Sequence, residues 1–186
     1  VATVREGNKA VLVVVDMQVG VMEEAWDSAR ILNNAARAVE QARTQHVPVI
    51  WVQHSDDGLP YQSAEWQWAP ELTPAEGELL IHKHFNSAFE QTAFEAELAG
   101  LGATHIVLAG AATNWCIRAT AYAALDRGYD LTLVADAHTT GAIERDDGSS
   151  IAAADIIEDL NTTMMWVSYP GRSNTIVATE ALDFAV

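Results

Sequence analysis

Short apolar runs alternate with amphipathic stretches along most of this chain of 186 residues. "AVLVVVDMQ", Ala10 to Gln18, is a continuous β-branched run, the pattern of a strand buried on both faces. "SARILNNAARAVEQARTQ" follows, with Ile31, Ala35, Ala38 and Ala42 on one face of a helix. "VPVIWVQH" predicts a second strand, with Pro48 tolerable only near its start. "ELLIHK" predicts a third, and "QTAFEAELAGLG" a helix that Gly100 and Gly102 end. "THIVLAGA" predicts the fourth strand, "TNWCIRATAYAALDRG" a helix closed by Gly128, and "YDLTLVADAHTT" the fifth strand. "SSIAAADIIEDLNTT" predicts a helix with a serine cap, and "TMMWVS" the sixth strand. The tail from Tyr169 to Val186 has no clear period; it is read either as a short helix or as cover for a neighbouring subunit.

This alternation predicts β-α-β units around a mostly parallel sheet. The expected class is α/β: a single-domain, three-layer α/β/α sandwich, Rossmann-like, with six strands. No repeat, low-complexity tract or linker divides the chain, so residues 1–186 are read as one domain. One connection is unusually long. Ser55 to Gly77 carries Trp66 and Trp68 between Pro60, Pro70 and Pro74. Such a segment is either a lid or pocket wall, or a surface flap whose tryptophans cover the core.

Composition narrows the field. A hydrophobic fraction of 49% and a charged fraction of 19% describe a folded chain. A net charge of -16 with no basic cluster excludes a phosphate backbone as partner, so no nucleic acid is expected. No stretch approaches the roughly 18 apolar residues of a membrane span. "VATVREGNKA" lacks the apolar core of a signal peptide, and a single cysteine forms no internal disulfide. A cytoplasmic location is the expectation.

In doubly wound sheets ligands bind beyond the carboxyl ends of the strands, which directs attention to polar residues just past apolar runs. Asp16 ends "VLVVVD", Lys83 ends "ELLIHK", and Cys116 follows "IVLAGAATNW". Each has an ordinary reading alone: a turn former, a snorkelling lysine, a small buried hydrophobe. Together they are the base, the cation and the nucleophile of acyl transfer by a thiol. Gly110, Ala111 and Ala112 are small enough to let a substrate reach the backbone, and Thr113 is placed to cap a helix. Cys116 would then lie in a first helical turn, whose dipole lowers a thiol pKa. Neither GxGxxG nor GxxxxGK[ST] occurs, so nucleotide binding has no motif and no cofactor is expected.

"VVVDMQ", "HKHFNSAF" and "AGAATNWCIRATAYAALDRGYDLTLVADAHTT" together resemble the isochorismatase-like cysteine hydrolase superfamily, which includes nicotinamidases, N-carbamoylsarcosine amidases and streptothricin hydrolase. The resemblance runs from the first strand to the fifth. It implies a six-stranded parallel sheet flanked by helices, and a catalytic triad of Asp16, Lys83 and Cys116. It also implies a cis peptide at Ala111–Ala112, an oxyanion hole made by the backbone N–H groups of Ala112 and Cys116, and a homo-oligomer. The apolar end "TIVATEALDFAV" could contribute to that assembly.

Two departures shape the expected chemistry. Metal-dependent nicotinamidases carry an Asp-x-His pair after the second strand and a further histidine beyond it. Here "WVQHSDDGLPYQSAEWQWAPEL" has His54 and Asp56 in the reverse order and no later histidine before His82, so no metal is expected. His82 and His84 flank Lys83 and should face away from it. Isochorismatases proper cleave a vinyl ether, several without the cysteine. Cys116 therefore favours hydrolysis of a carbon–nitrogen bond in a small amide, lactam or carbamoyl substrate through a thioester. A vinyl-ether hydrolase and a catalytically silent small-molecule binder are the alternatives. Gln18, Trp66, Phe85 and Trp115 are the candidate substrate-binding residues, with Trp68 and Phe89 beside them.

Overall fold

The computed structural model describes residues 2–185. In chain order its elements are β1 (Lys9–Val15), α1 (Val19–Met22), α2 (Ser28–Thr44), β2 (Val49–His54), β3 (Leu79–Lys83), α3 (Phe94–Leu101) and β4 (Ala103–Ala111). A π-helical turn (Thr113–Ile117), α4 (Arg118–Asp126), β5 (Asp130–Thr139), β6 (Ile143–Glu144), β7 (Ser150–Ile151), α5 (Ala153–Trp166), β8 (Asn174–Val177) and a short 3-10 helix in the tail (Thr179–Ala181), as one reading of the tail expected, complete it. Six strands form one sheet in the order β3-β2-β1-β4-β5-β8, and every adjacent pair runs parallel. β6 and β7 form a separate antiparallel pair.

The β-branched run at the start of the chain occupies the centre of the sheet. Val11 to Val15 have no solvent exposure, because helices cover both faces. Ile31, Ala35, Ala38 and Ala42 of α2 seal one face against Leu12, Val14 and Trp51. Phe94 and Leu98 of α3, Ala121 and Leu125 of α4, and Leu160 and Met164 of α5 seal the other against Val13, Ile50 and Leu108. Each fully enclosed valine or leucine contributes about 1.5–3 kcal/mol relative to exposure. The three-layer α/β/α sandwich expected from the pattern is the fold.

Two expectations about the carboxyl-terminal third are corrected. "TMMWVS" is not the sixth strand: residues 163–166 continue α5, whose buried stripe of Ile156, Ile157, Leu160 and Met164 keeps helical spacing. The sixth strand is the four-residue β8, paired with β5 through Leu131↔Asn174 to Val134↔Val177. Nor does Ser149 or Ser150 cap α5, whose capping position is Ala152 with no side-chain bond. The tail after β8 folds back on its own sheet, burying Leu182 and Phe184 in the core that α2 covers.

Strands numbered upward run away from β1 on one side, and β4, β5 and β8 on the other. The crevice between the carboxyl ends of β1 and β4 is therefore the topological switch point, where ligands bind in open α/β sheets.

Candidate active site

Three elements deliver side chains to that crevice. Asp16 is the first residue after β1, held by its N–H donating to the Val52 carbonyl at 2.8 Å. Its φ of +51° lies in the left-handed region, which aspartate tolerates better than most residues. Lys83 closes β3, where burial alternates along Leu79 to Lys83 and turns Lys83 inward. Cys116 sits in the π-helical turn beyond β4, where the Ile117 N–H donates five residues back to the Ala112 carbonyl at 3.2 Å. Such turns concentrate at functional sites.

The three groups converge. Lys83 Nζ lies 2.6 Å from Asp16 Oδ2 and donates to Cys116 Sγ at 3.2 Å. It also donates to the Phe85 carbonyl at 3.1 Å, and His54 Nδ1 stands 3.4 Å away. The carboxylate and ammonium side chains are 2% and 0% exposed, and Cys116 only 9%. A buried ion pair is costly to strip of water and persists only with close geometry of this kind.

Burial sets the protonation states. It pushes the Asp16 carboxyl above its ordinary value, against the opposing pull of Lys83 and the Cys116 thiol. Burial, with the Asp16 charge added to it, drives the Cys116 thiol up to about 12 in spite of Lys83. From the sequence, a place in a helical first turn would lower the thiol pKa. The structure corrects this: the sulfur is enclosed beside a carboxylate, and both effects disfavour the thiolate. The resting site is a neutral thiol next to a base whose proton affinity is raised.

Gly110, among the small residues before the cysteine, has a packing role of its own. A Cβ on Gly110 would stand 2.1 Å from the Val15 carbonyl oxygen, so its smallness serves the close approach of β4 to β1. The Ala111–Ala112 peptide is cis. Thr113 caps no helix; Ala112 occupies the capping position of the π-helical turn. The Thr113 hydroxyl instead pairs with His138 Nδ1 at 2.9 Å, and His138 Nε2 pairs with Asn161 Oδ1 at 3.0 Å. Asn161 Nδ2 donates to the Ala135 carbonyl at 3.2 Å, which places the amide oxygen toward the ring. His138 is therefore the Nε2–H tautomer and accepts from Thr113, tying the cysteine turn to β5 and α5. Burial holds its pKa down at about 4.

The candidate substrate residues fall into two groups. Phe85 and Trp115 are 47% and 58% exposed. Trp115 and Ala112 line a cleft of about 260 Å³ shared with Gly20, Val21, Glu24 and Thr140. Gln18 and Trp66 are internal. The Gln18 amide donates to the carbonyls of His54 and Trp66 and accepts the His54 N–H. The Trp66 ring packs against Tyr61 and stacks on His82, away from the face that Lys83 presents. Trp68 sits edge-on to Trp51 at 5.0 Å, and Phe89 lies in the core. The long Ser55–Gly77 connection is pinned to the segment after β1 through Val19 N–H to Gln67, Gly20 N–H to Glu65 and Ala69 N–H to Met17.

His54 escaped sequence attention except as a departure from a metal motif. It ends β2, between the strands that carry Asp16 and Lys83, and is the register partner of Lys83. That position past an apolar run was the available signal. His82 is exposed, and His84 bonds Ser55 through Nδ1. Among the described residues, no three His, Cys, Asp or Glu side chains are grouped to hold a metal ion, and no helix is long and apolar enough to cross a membrane.

Comparison with known proteins agrees with this fold. The family model described as Isochorismatase domain matches residues 10–163. Streptothricin hydrolase of Streptomyces noursei is 29% identical over 137 residues, covering 69% of this chain and 49% of that protein, so the match spans about half of the relative. A secreted isochorismatase effector of Verticillium dahliae is 31% identical over 138 residues, 69% of this chain and 71% of the relative. Among solved structures, an isochorismatase from Pseudomonas putida superposes with a TM-score of 0.83 at 28% identity, covering 94% of this chain and 90% of the other.

Proposed function

Since this chain belongs to the isochorismatase family, we propose that it is a cysteine hydrolase that opens a carbon–nitrogen bond of a small amide, lactam or carbamoyl compound through a thioester. The observation that carries the reading is the convergence on Lys83 Nζ of Asp16 Oδ2 and Cys116 Sγ, at the switch point of the sheet. A thiol held near pKa 12 is not a nucleophile at rest, so a base has to act as it attacks. Asp16, with its raised proton affinity, is matched to that task.

In the proposed reaction Cys116 Sγ adds to the substrate carbonyl carbon while its proton passes to Asp16. The backbone N–H groups of Ala112 and Cys116 hold the resulting oxyanion; in other enzymes one such donor is worth about 2.7–4 kcal/mol. The carbon–nitrogen bond breaks as Asp16 returns the proton to the departing nitrogen, leaving an acyl group on sulfur. Water then adds to the thioester carbonyl and gives its proton to Asp16. The second tetrahedral intermediate expels the sulfur, which regains that proton as the acid departs. Lys83 compensates negative charge, on the carboxylate before attack and on the sulfur as it leaves. The half-exposed rings of Phe85 and Trp115 suit a flat or ring-containing substrate.

The test is a screen of amides, lactams and carbamoyl compounds for released amine, with acyl-enzyme mass measured on the best substrate. Cys116→Ala should reduce turnover to background and leave the urea midpoint unchanged. Turnover surviving in that variant would remove the covalent scheme. Absence of turnover on every class would favour one of the alternatives, and a vinyl-ether substrate then separates a hydrolase of that bond, which turns it over, from a silent binder, which does not.

A further inference from the structure

β2 lies between β1 and β3, so the side chain ending β2 on the inner face meets the Asp16–Lys83 pair. That side chain is His54. Its Nδ1 stands 3.4 Å from Lys83 Nζ and its Nε2 2.9 Å from Asp56 Oδ2. Both ends of the arrangement are braced. Gln18 bonds the His54 N–H and carbonyl at 2.9 and 3.0 Å, and the N–H groups of Gly58 and Leu59 donate to Asp56 Oδ1 at 2.9 and 2.8 Å. A carboxylate only accepts, so Nε2 carries the ring proton and Nδ1 turns a lone pair toward the ammonium.

Lys83 Nζ has three hydrogens and four neighbouring acceptors: Asp16 Oδ2, the Phe85 carbonyl, Cys116 Sγ and His54 Nδ1. The Phe85 carbonyl, Cys116 Sγ and His54 Nδ1 take the three hydrogens, while Asp16 is held beside the ammonium as an ion pair. An acylated sulfur is a poorer acceptor, and the ammonium has no exposure to water through which to satisfy the released N–H. We infer that His54 is a positioning residue whose Nδ1, oriented by Asp56, holds one Lys83 N–H throughout and so keeps the ammonium on Asp16 when acylation weakens the contact to sulfur during thioester hydrolysis. The kinetic part rests on the thioester reading above; the imidazole–ammonium contact does not.

Asp56 offers a variant on the surface. Its Oδ1 is engaged by two backbone N–H groups, so Asp56→Asn presents an amide NH₂ to Nε2 and moves the ring proton to Nδ1, aimed at Nζ. With the best amide substrate, kcat of Asp56→Asn and of His54→Leu should fall about tenfold, with KM nearly unchanged and acyl-enzyme accumulating. His54→Gln, whose amide oxygen supplies an acceptor, should stay within about threefold of the original enzyme. Nitrogen-15 NMR of the imidazole should show the Nε2–H form in the original protein and the Nδ1–H form in Asp56→Asn. Unchanged kcat in both impaired variants, or His54→Gln as slow as His54→Leu, overturns the inference. So does an Nδ1–H imidazole in the original protein, whatever the turnover. Should no acyl substrate turn over at all, the proposed function fails, and the NMR result alone decides the contact.

Discussion

At the scale of single residues, the site depends on a glycine as much as on its titratable groups. Gly110 has a φ of +141°, and any Cβ there would run into the Val15 carbonyl that immediately precedes Asp16. Gly110→Ala should therefore destabilise the protein by about 3 kcal/mol or more, read as a lowered urea midpoint, and should impair turnover with it. The enclosed thiol makes a second expectation. Iodoacetamide should label Cys116 slowly at about pH 8.5, where a free cysteine is half ionised, and fast only as the pH nears 12, followed by mass spectrometry. Ordinary reactivity at the lower pH would contradict the burial that sets its protonation. Asp16, Lys83 and Cys116 were legible in the sequence because each stands just past an apolar run, and a parallel sheet brings such positions to one rim. The direction of the thiol shift was not legible. It depends on a carboxylate a hundred residues away in sequence and on the depth of the crevice.

At the scale of elements, the cysteine turn is buttressed from β5 and α5 through Thr113, His138 and Asn161. His138 is neutral in the folded protein, with a pKa near 4, while in the unfolded chain it titrates at the ordinary value of 6.5. Below that ordinary value the unfolded chain binds more protons than the folded one. This contribution to stability is therefore complete above pH 6.5 and is lost as the pH falls toward 4, amounting to about 2 kcal/mol at pH 5. Urea unfolding at pH 7 and pH 5 should show the loss, and His138→Gln should show a smaller difference between the two. Sequence reading recovered strands whose burial is two-sided, such as β1, and helices ended by glycine, such as α3 with Gly102 at φ +67°. It misplaced the sixth strand because "TMMWVS" has the composition of a strand while its Met164 completes a helical stripe. β8 is a half-buried edge of four residues, too short for alternation to stand out. His138 was missed for a related reason: its partners are 25 and 23 residues distant, and no local pattern links them.

For the whole molecule, the carboxyl-terminal tail is structural. Leu182 and Phe184 fill the same core as α2 and the central strands, and Thr179 donates its N–H and hydroxyl to Asp136 of β5. Phe184→Ala should cost about 3–5 kcal/mol, measurable by denaturant unfolding, whereas a loosely attached tail would tolerate the change. The acidic exterior and the sealed interior respond to their surroundings differently. Mobile ions approach only as far as the protein surface, and screening acts on what they can surround. The attraction between Asp16 and Lys83 is thus indifferent to electrolyte. Dilute and concentrated brine leave that pair alike, and a salt dependence of turnover would report on substrate capture across a surface carrying sixteen net negative charges.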